Sequence, residues 1–460
     1  MAMGKRKQRQ ESLFITAEDL PRSDGHPFYL QLNALLAEAG FDRWIERRCR
    51  RFYEQQEKRG KPSLPPGVYF RMLLIGYFEG IDSQRGIAWR CSDSLSLRTF
   101  LGVPLGEATP DHSTMSVTRK RLGAEVFDEV FQFVLGIADK KKLLSGKAAG
   151  VDSTTLEANA AMKSIVRRDT GEDWKQYVTR LMREDGTIEP EEEPSDEAIR
   201  RYDKRRKKTA SNEDWVSQTD PDARITKLKD GRTHLAYKAE HVVDLESEIL
   251  LAAEILPADH GDQQSLVDSV VAARVNLEAA GSEVEVREVA ADKGYHASAT
   301  LELAAALDLR TYIPEPQRKD DRVWTDKPDE VRRAVNNNRR RMQRAKGKRL
   351  DRLRSERVER SFAHVCDTGG SRRTWIRKLE EVTKRYRIAA AAHNLARIMF
   401  QLFGIGKPRT LQAPADLVWL AQFILTAFWT VALVLREHRA LKRATLALAA
   451  RQTRQRGQPA

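Results

Sequence analysis

Cysteine is scarce in this chain of 460 residues. The three cysteines, Cys49, Cys91 and Cys366, are scattered and form no C-x-x-C pair. Neither a disulfide framework nor a zinc finger is therefore supported, and a reducing, cytoplasmic setting is expected. The basic N-terminal stretch MAMGKRKQRQESLF lacks the apolar run that a signal peptide needs, so export is not expected.

Acidic residues are outnumbered by basic ones. The chain has 80 Lys and Arg against 66 Asp and Glu, which gives a net charge of +14 and a pI near 9.6. This balance favours nucleic acid or another anionic surface as the partner, although it does not determine the fold. At 460 residues the chain is long enough for two or three domains with separate cores, and it shows no internal repeat.

Long apolar runs are also rare, and one lies near the C-terminus. The segment LVWLAQFILTAFWTVALVL, from Leu417 to Leu435, has 19 residues without a charge and approaches the length of a membrane span. Because Gln422 interrupts it and the rest of the chain is polar, we predict a helix buried against protein. It belongs to a C-terminal segment of residues 403–460 that ends in a basic tail. A membrane anchor is the alternative.

Residues 26–145 have the periodicity of helices and follow a basic tail of residues 1–25. Apolar residues recur there at spacings of three and four, which predicts an all-α N-terminal domain. In TPDHSTMSVTRKRLG, turn and N-cap residues precede a basic helix. We interpret this helix as part of a helix-turn-helix-like DNA-binding unit; a capped surface helix with solvated charges is the alternative. The cations expected to reach phosphate are Arg119, Lys120 and Arg121.

From residue 146 to residue 402 the pattern is that of an α/β domain. Short β-prone runs and helices follow in the order β-β-β-α-β-α-β, and a long helix ends the region. Between the first two strands lies an insertion of about residues 163–230, in which an acidic block precedes a basic block. Blocks of opposite charge with few large apolar residues predict a partly disordered surface excursion rather than a second core.

Two aspartates follow predicted strands, and a glutamate lies on a predicted helix. Asp152 follows KAAGV and Asp292 follows EVREVAA. Strand ends can present side chains rigidly, although aspartate there is also a common turn former. On a helical wheel of about 100° per residue, Glu359 borders the apolar stripe that begins at Val358, whereas Glu356 faces away. Glu359 can therefore reach a crevice beside the packed face; a local ion pair with a neighbouring arginine is the alternative.

Three carboxylates in a strongly basic chain point to phosphodiester chemistry. They can hold two divalent cations, which stabilise both the attacking and the leaving oxygen of a displacement at phosphate. The sequence before Glu359 supports this interpretation, because the stretch from Arg332 to Arg349 contains nine Lys or Arg residues and no acid. We expect these cations to hold the DNA backbone; a solvated helix face is the alternative. They include Arg339, Arg340 and Arg341.

Three motifs resemble, in this order, those of the DDE transposases of bacterial insertion sequences: GVDSTTLEANA, VAADKGYH and RVERSFAHVCDTGGSRRTW. The helical region, with HPFYLQLNALL and TPDHSTMSVTRKRL, is also similar to that of such transposases, so the resemblance spans most of residues 26–400. It implies an RNase H-like mixed β-sheet core flanked by helices, in a cytoplasmic, nucleoid-associated bacterial protein.

The resemblance also implies an activity, namely Mg²⁺-dependent cleavage and transfer of DNA strands at the ends of an insertion sequence. Asp152, Asp292 and Glu359 would be the ligands of two Mg²⁺ ions, for which Mn²⁺ can substitute. The expected partners are double-stranded DNA with terminal inverted repeats and further copies of the chain, as a homodimer or higher oligomer on DNA, and no membrane. The alternatives are a domesticated nuclease with the same core and a DNA-binding protein without catalysis, although the latter would be expected to have lost a carboxylate.

The chain departs from the family pattern after the glutamate. Related sequences often carry an arginine five residues before it, which Arg354 matches, and a lysine about seven residues after it, where this chain has Cys366. No lysine is therefore carried over. Arg372 and Arg373, with Arg377 as a further candidate, are expected to contact phosphate in its place.

Overall fold

The structure is a computed structural model, and it describes residues 25–53, 63–206, 211–228, 231–317 and 327–408. The chain divides into two compact units, Met1–Ile405 and Gly406–Ala460. Nearly all of the second unit lies outside the described residues, and so does the run from Leu417 to Leu435, whose burial stays a prediction. Among the described helices, none combines the length and the apolar character that crossing a bilayer requires.

Seven helices form the N-terminal part of the described chain: α1 Pro27–Glu38, α2 Phe41–Cys49, α3 Pro66–Glu79, α4 Gln84–Asp93, α5 Leu95–Leu101, α6 His112–Arg121 and α7 Ala124–Lys140. Capping residues explain several of their starts. Asp111 Oδ1 accepts a hydrogen bond from Ser113 N at 2.8 Å and so begins α6, and Ser83 and Ser94 cap α4 and α5. The apolar sequence of α3 agrees with its burial on nearly all sides.

Eight strands are present in the described residues: β1 Ala148–Glu157, β2 Ile165–Arg167, β3 Trp215–Ser217, β4 Arg224–Lys227, β5 Thr233–Asp244, β6 Leu250–Pro257, β7 Glu288–Ala291 and β8 Arg310–Tyr312. The main sheet has the order β6-β5-β1-β7-β8, with β4 paired to the start of β5. β1 runs antiparallel to β5 and parallel to β7, and β7 runs parallel to β8. Three antiparallel strands followed by two parallel ones are the RNase H-like order, so the predicted α/β fold is confirmed.

Seven helices belong to the second part of the described chain: α8 Trp174–Glu184, α9 Asp196–Arg205, α10 Asp262–Ala279, α11 Ser298–Ala306, α12 Asp329–Gln343, α13 Ala345–Phe362 and α14 Leu379–Phe403. Several of them, including α10 and α13, pack against the main sheet, whereas α8 and α9 belong to the insertion. Successive residues of a strand point to opposite sides, so β1 shows which helix covers which face. Gly150 lies against Arg354 and Val358 of α13, whereas Ser153 Oγ donates to Asp262 of α10 at 3.0 Å. α13 and α10 therefore lie on opposite faces.

The long helix α14 packs against both α7 and β6. Its run of small residues, Ala389–Ala392, is buried, which allows the neighbouring elements to approach closely. Apolar residues of the N-terminal helices and of the sheet belong to one continuous cluster. The central position of α14 in that cluster explains why its sequence is apolar over most of its length.

The insertion between β1 and β4 has local order. It contains the antiparallel pair β2–β3 and the helices α8 and α9, and Asp173 and Gln176 form a capping box at the start of α8. Val178, Met182 and Ile199 form a small apolar cluster of their own. The described part of the insertion thus has more structure than its charge blocks predicted, because a few apolar residues at helical spacing suffice for a local core.

Candidate active site

The two aspartates at the predicted strand ends lie side by side. β1 and β7 are parallel, and their register pairs Val151 with Ala291, so Asp152 and Asp292 are the next residues on adjacent strands. The backbones of paired strands are about 4.8 Å apart, and residues in register point to the same face. The two carboxylates therefore lie together where the pairing of β1 with β7 ends. Only Asp292 is at a strand end, because β1 continues beyond Asp152 to Glu157, contrary to the prediction from the sequence.

The turn after β7 fixes Asp292. Its Oδ1 accepts a hydrogen bond from the backbone N–H of Gly294, so the carboxylate caps its own turn. Gly294 has little room, because a Cβ there would lie 3.2 Å from Asp292 Oδ1 and 3.3 Å from Asp262 Oδ2. A third carboxylate, that of Asp262 at the start of α10, therefore lies close to Asp292.

Asp152 is held by α13 and by its own strand. Arg354 Nη1 donates to Asp152 Oδ2 at 2.9 Å, and Ser153 N donates to Oδ1 at 2.8 Å. Burial raises the pKa of Asp152 above its ordinary value; the Ser153 hydrogen bond and the Arg354 charge oppose this rise, and the charges of Asp292 and Asp262 add to it. The arginine five residues before Glu359 thus contacts the first aspartate directly.

Glu359, the third predicted ligand, lies on α13 with an exposed side chain. Ser355 Oγ donates to its Oε1 at 3.4 Å. Glu356, the other glutamate of the stretch, pairs with Arg360 Nη2 at 2.5 Å. The two glutamates therefore have separate partners on α13.

Contacts with β5 fix the rotation of α13. His241 is paired with Asp152 across β5 and β1, and its Nδ1 lies 2.7 Å from Ser361 Oγ. Burial lowers the pKa of His241 to about 3, so its ring is neutral. One turn earlier on the helix, Arg357 donates to the carbonyl of Leu245, just after β5.

The donor chemistry of this place fits a hard divalent cation. Carboxylate oxygens are the ligands that Mg²⁺ prefers. Beyond burial, the charges of Asp292 and Asp262 raise the pKa of Asp152, so a cation would relieve their repulsion. Within the described ranges, however, no group of three or more Asp, Glu, His or Cys side chains is arranged to hold a metal ion. The set of Asp152, Asp292 and Glu359 stays a prediction.

A charged network on the α10 side of the sheet is not predicted by the sequence motifs. Lys238 Nζ lies 2.6 Å from Asp262 Oδ1 and 3.2 Å from Glu240 Oε2. Glu240 is fully buried and accepts a hydrogen bond at 2.9 Å from the hydroxyl of Tyr295, three residues after Asp292. The network therefore connects β5 to the turn that carries Asp292. A signal for it is present in HLAYKAEHVVD, where Lys238 and Glu240 interrupt the apolar middle of the strand.

The loop after α13 lies along the end of β1. Glu157 N donates to the carbonyl of Arg372 at 3.0 Å, and Arg372 Nη1 donates to Thr154 Oγ1 at 2.9 Å. Arg373 Nε lies 3.9 Å from Glu157 Oε1. Thr154 is two residues beyond Asp152, on the same face of β1. Both arginines that were expected to contact phosphate are thus anchored to the strand that carries Asp152.

The three predicted DNA-binding arginines of α12 differ in their surroundings. Arg339 Nη2 pairs with Glu315 at 2.8 Å, and Arg341 Nε donates to the carbonyl of Thr311 at 2.9 Å, so both contact the protein. Arg340 is exposed, and no ion pair forms between it and any carboxylate of the described chain. Of the three, Arg340 is the side chain most open to a phosphate.

Among the cations of α6, too, some contact the protein and one is exposed to solvent. Arg119 Nε lies 2.7 Å from Glu381 Oε2 of α14, and the two side chains are only 17% and 18% exposed. Arg121 lies over the ring of Tyr53 at 4.8 Å. Lys120 is exposed. Arg119 therefore joins α6 to α14, and Lys120 is the cation of this helix that faces solvent.

Comparison with known families and structures addresses the identity of the chain. Two family models match it, the Transposase domain (DUF772) at residues 18–121 and the Transposase DDE domain at residues 316–399. The chain therefore carries two transposase domains, the second of them a DDE domain. The second match contains Glu359 and the loop of Arg372, whereas Asp152 and Asp292 lie outside both matches. No curated protein matches the chain significantly.

Similarity to solved structures is weak. The crystal structure of the Mos1 mariner paired end complex with Mn shares 11% sequence identity with this protein, over 76% of this chain and 99% of that chain, with a TM-score of 0.17. The strand order of the sheet is the feature that makes the fold RNase H-like.

Proposed function

We propose that this protein is a transposase that cleaves and transfers DNA strands at the ends of its element in a Mg²⁺-dependent reaction. Asp152, Asp292 and Glu359 are the catalytic carboxylates in this proposal. The observation that carries it is the juxtaposition of Asp152, within β1, and Asp292, directly after the adjacent parallel strand β7. The helix that bears Glu359 packs on both strands.

The rotation of α13 supports Glu359 rather than Glu356 as the third carboxylate. Arg357 and Ser361 both turn toward β5: Ser361 Oγ contacts His241 of this strand, and Arg357 donates to the carbonyl of Leu245 just after it. Glu359 lies midway between them in sequence, and at about 100° per residue it projects from the opposite side of the helix. Because the strand order is β5-β1-β7, that side is the one nearer to β7 and therefore to Asp292.

Glu356 belongs to a different group of charges. It pairs with Arg360, whose Nη1 lies 2.7 Å from Glu248 in the turn between β5 and β6. This ion-pair group is on the β5 side of α13, away from Asp292. Because the side chain of Glu356 is 55% exposed, loss of its charge should change the free energy of unfolding by about 1 kcal/mol or less.

The three carboxylates would hold two Mg²⁺ ions, which Mn²⁺ can replace, and the bound ions would supply stabilisation of the attacking and leaving oxygens of a phosphodiester. Arg354 keeps the carboxylate of Asp152 oriented through its 2.9 Å hydrogen bond and offsets part of its charge. Arg372 and Arg373 would hold the DNA backbone near the scissile phosphate, since both are anchored to β1.

The proposed substrate is double-stranded DNA with terminal inverted repeats, bound by two or more copies of the chain in the bacterial cytoplasm at the nucleoid. The helical part, residues 26–145, would hold the DNA, and residues 146–402 would perform the chemistry. The net charge of +14 and the exposed Lys120 and Arg340 support this assignment. No role is proposed for residues 403–460.

Two matched variants test the assignment, Glu359→Gln and Glu356→Gln. The assay is cleavage of a labelled duplex that carries the end of the element, in Mg²⁺, with binding measured in parallel in Ca²⁺. Glu359→Gln should abolish cleavage, because a neutral amide is a poorer Mg²⁺ ligand, and should retain binding. Glu356→Gln should cleave within a small factor of wild type.

The outcomes separate the parts of the proposal. If Glu356→Gln is inactive and Glu359→Gln is active, the assignment of the third carboxylate is wrong. If both variants cleave, the mechanism with three carboxylates is wrong. If the wild-type protein hydrolyses the duplex but never joins its ends to a second DNA, a nuclease is the better description.

A further inference from the structure

Helices α2 and α7 border an open groove on the N-terminal part of the molecule, which we call the α2–α7 groove. Its volume, including the open mouth, is about 1120 Å³. Its floor is aromatic, because the rings of Trp44 and Phe133 lie 4.4 Å apart. The last turn of α10 reaches the groove through Ala279 and Ala280. The groove is therefore a wide, shallow surface feature rather than an enclosed small-molecule pocket.

The charges that line the α2–α7 groove are mostly positive. Four cations and one carboxylate contribute to it: Arg43, Arg47, Arg48, Lys140 and Glu129. The carboxylate is already shared, since Glu129 lies 3.8 Å from Arg48 and 3.7 Å from Arg51 of the same helical region. Mutual repulsion of the remaining cations favours an anion in the groove.

Three of these cations have no partner of opposite charge in the described chain. Ion pairs occupy the arginines nearby: Arg71 binds Asp42 at 2.9 Å, for example. By contrast, none of the described carboxylates is within ion-pair distance of Arg43, Arg47 or Lys140. Their charges are consequently available to a ligand from outside.

The spacing of the arginines fits a polyanion with regular charges. Arg43 and Arg47 are four residues apart on α2, which places them on one side of the helix and about 6 Å apart along its axis. This is of the order of the step between neighbouring phosphates in a nucleic acid backbone. Guanidinium groups bind phosphate through paired hydrogen bonds, and the partly buried Trp44 and Phe133 offer an apolar surface to sugar edges.

The helix α10 relates the groove to the candidate active site. It begins at Asp262, which binds Ser153 next to Asp152, and its C-terminal end reaches the groove. Its 18 residues correspond to about 27 Å at 1.5 Å per residue, or about eight base pairs of duplex at 3.4 Å each. A duplex with its scissile phosphate at Asp152 could therefore reach the groove if it extended by about that length.

We infer that the α2–α7 groove binds the sugar-phosphate backbone of duplex DNA, about 27 Å from the two aspartates, as a contact separate from the catalytic site. This inference uses the proposed function only in taking DNA as the ligand. Lys120 and Arg340, the exposed cations considered above, do not line this groove. The groove would add affinity and fix the register of a long duplex without contributing to bond cleavage.

The test is a triple variant of the full chain, Arg43→Ala, Arg47→Ala and Lys140→Ala. The control removes three exposed cations from α9 instead, Arg200→Ala, Lys204→Ala and Arg205→Ala, so that both proteins lose the same charge. Circular dichroism confirms that both fold. The probe is a fluorescent duplex of about 40 base pairs, and its dissociation constant is measured in Ca²⁺ between 50 and 200 mM salt, where counterion release dominates the salt dependence.

The groove variant should bind the long duplex about tenfold more weakly or worse, and the slope of log K against log salt should fall by about 0.9 for each lost phosphate contact, or about 2.7 in all. The control should lose much less. On a duplex of about 12 base pairs centred on the cleavage point, which is too short to reach the groove, the groove variant and the control should bind alike.

Equal losses for the groove variant and the control on the long duplex would overturn the inference, and so would an equal loss by the groove variant on the short and the long duplex. If the groove variant binds the long duplex as tightly as wild type, the groove has another occupant, such as an acidic protein segment. If wild type binds no duplex at all, the proposed function itself fails.

Discussion

Arg387 of α14 is a buried charge that links the N-terminal helices to the sheet, and its replacement by methionine tests that link. It donates to the carbonyl of Ala253 at 2.8 Å and to the two carboxylate oxygens of Glu254 on β6 at 2.9 and 3.1 Å. Its Nε lies 2.6 Å from Asp128 Oδ1 of α7. Arg387→Met retains a long side chain that can pack in the same place, but it removes the cation that pairs with the carboxylates of Asp128 and Glu254.

The loss of stability expected for Arg387→Met depends on how deeply the ion pairs of Arg387 are buried. Breaking a buried ion pair costs about 3–5 kcal/mol. We expect the lower end, about 3 kcal/mol, because the side chains of Asp128 and Glu254 are 37% and 24% exposed and can be partly hydrated. For the 405 residues of the first unit, at about 2.1 cal/mol/K of unfolding entropy per residue, this is a fall of about 4 °C in the melting temperature.

The loss should also depend on pH. Burial raises the pKa of Asp128 above its ordinary value of 3.8, and the charge of Arg387 opposes that rise, so the pKa will rise further in Arg387→Met. A carboxyl group with a raised folded pKa contributes stability that is complete below the unfolded pKa and is lost as the pH rises through the folded pKa. The loss in the free energy of unfolding of Arg387→Met relative to wild type should therefore be largest at neutral pH and become smaller as the pH is lowered.

Urea unfolding at several pH values, followed by circular dichroism, measures the deficit. Arg200→Met on the exposed side of α9 is the matched control and should stay within about 0.5 kcal/mol of wild type. Adding Asp128→Asn to Arg387→Met should recover part of the loss, because one unpaired charge is removed. A variant that unfolds at the wild-type urea concentration, or a deficit that is the same at every pH, would refute the reasoning.

Two further predictions concern the region of the aspartates. Burial raises the pKa of Asp152 above 3.8. The ionised carboxylate therefore lowers the stability of the folded protein once the pH exceeds this raised pKa. In the absence of metal, Asp152→Asn should have a higher melting temperature than wild type at neutral pH, and the difference should become smaller toward pH 4. Added Mg²⁺ should raise the melting temperature of wild type more than that of Asp152→Asn, and equal shifts would argue against a site at Asp152. Tyr295→Phe removes a buried hydrogen bond of 2.9 Å to Glu240. It should lower the free energy of unfolding by about 1–3 kcal/mol and leave DNA binding in Ca²⁺ unchanged. An unchanged midpoint of urea unfolding would contradict this prediction.

Local sequence signals were enough to place Asp292 at a strand end, but Asp152 lies inside β1, which continues to Glu157. Asp292 follows a short run of small or β-branched residues and accepts a hydrogen bond from the backbone of its own turn, as a turn-forming aspartate does. The order of elements along the chain, β-β-β-α-β-α-β, could be read from the sequence, whereas the order of the strands in the sheet was implied by the resemblance to DDE transposases. Turns and the order of elements depend on neighbours in the chain and can be read from it.

Features that depend on distant partners could not be predicted from the sequence. Lys238 and Glu240 are buried charges on one strand, and they are satisfied by side chains from α10 and from the turn after β7. The arginine runs show the same limit: Arg119 and Arg341 are bound to the protein, whereas Lys120 and Arg340, their neighbours in sequence, are exposed. A run of like charges does not show which members pair internally.

The helical wheel of the glutamate stretch, with its constant angle of about 100° per residue, applies only as far as α13 itself extends. Val358 and Phe362 are buried, as the wheel predicted, but a π-helical segment, Ala363–Thr368, follows α13 and changes the period. Val365 and Cys366 are buried nonetheless, so the agreement beyond Phe362 owes more to packing than to the assumed 100° per residue.

One face of β1 explains how the pieces come together. Gly150, Asp152 and Thr154 point to the same side of the strand. A Cβ at Gly150 would lie 2.8 Å from Val358, so the glycine admits α13; Asp152 then binds Arg354, and Thr154 binds Arg372. The alternation of a single strand therefore sets the distance of the helix, the orientation of the first carboxylate and the position of a cation beyond it.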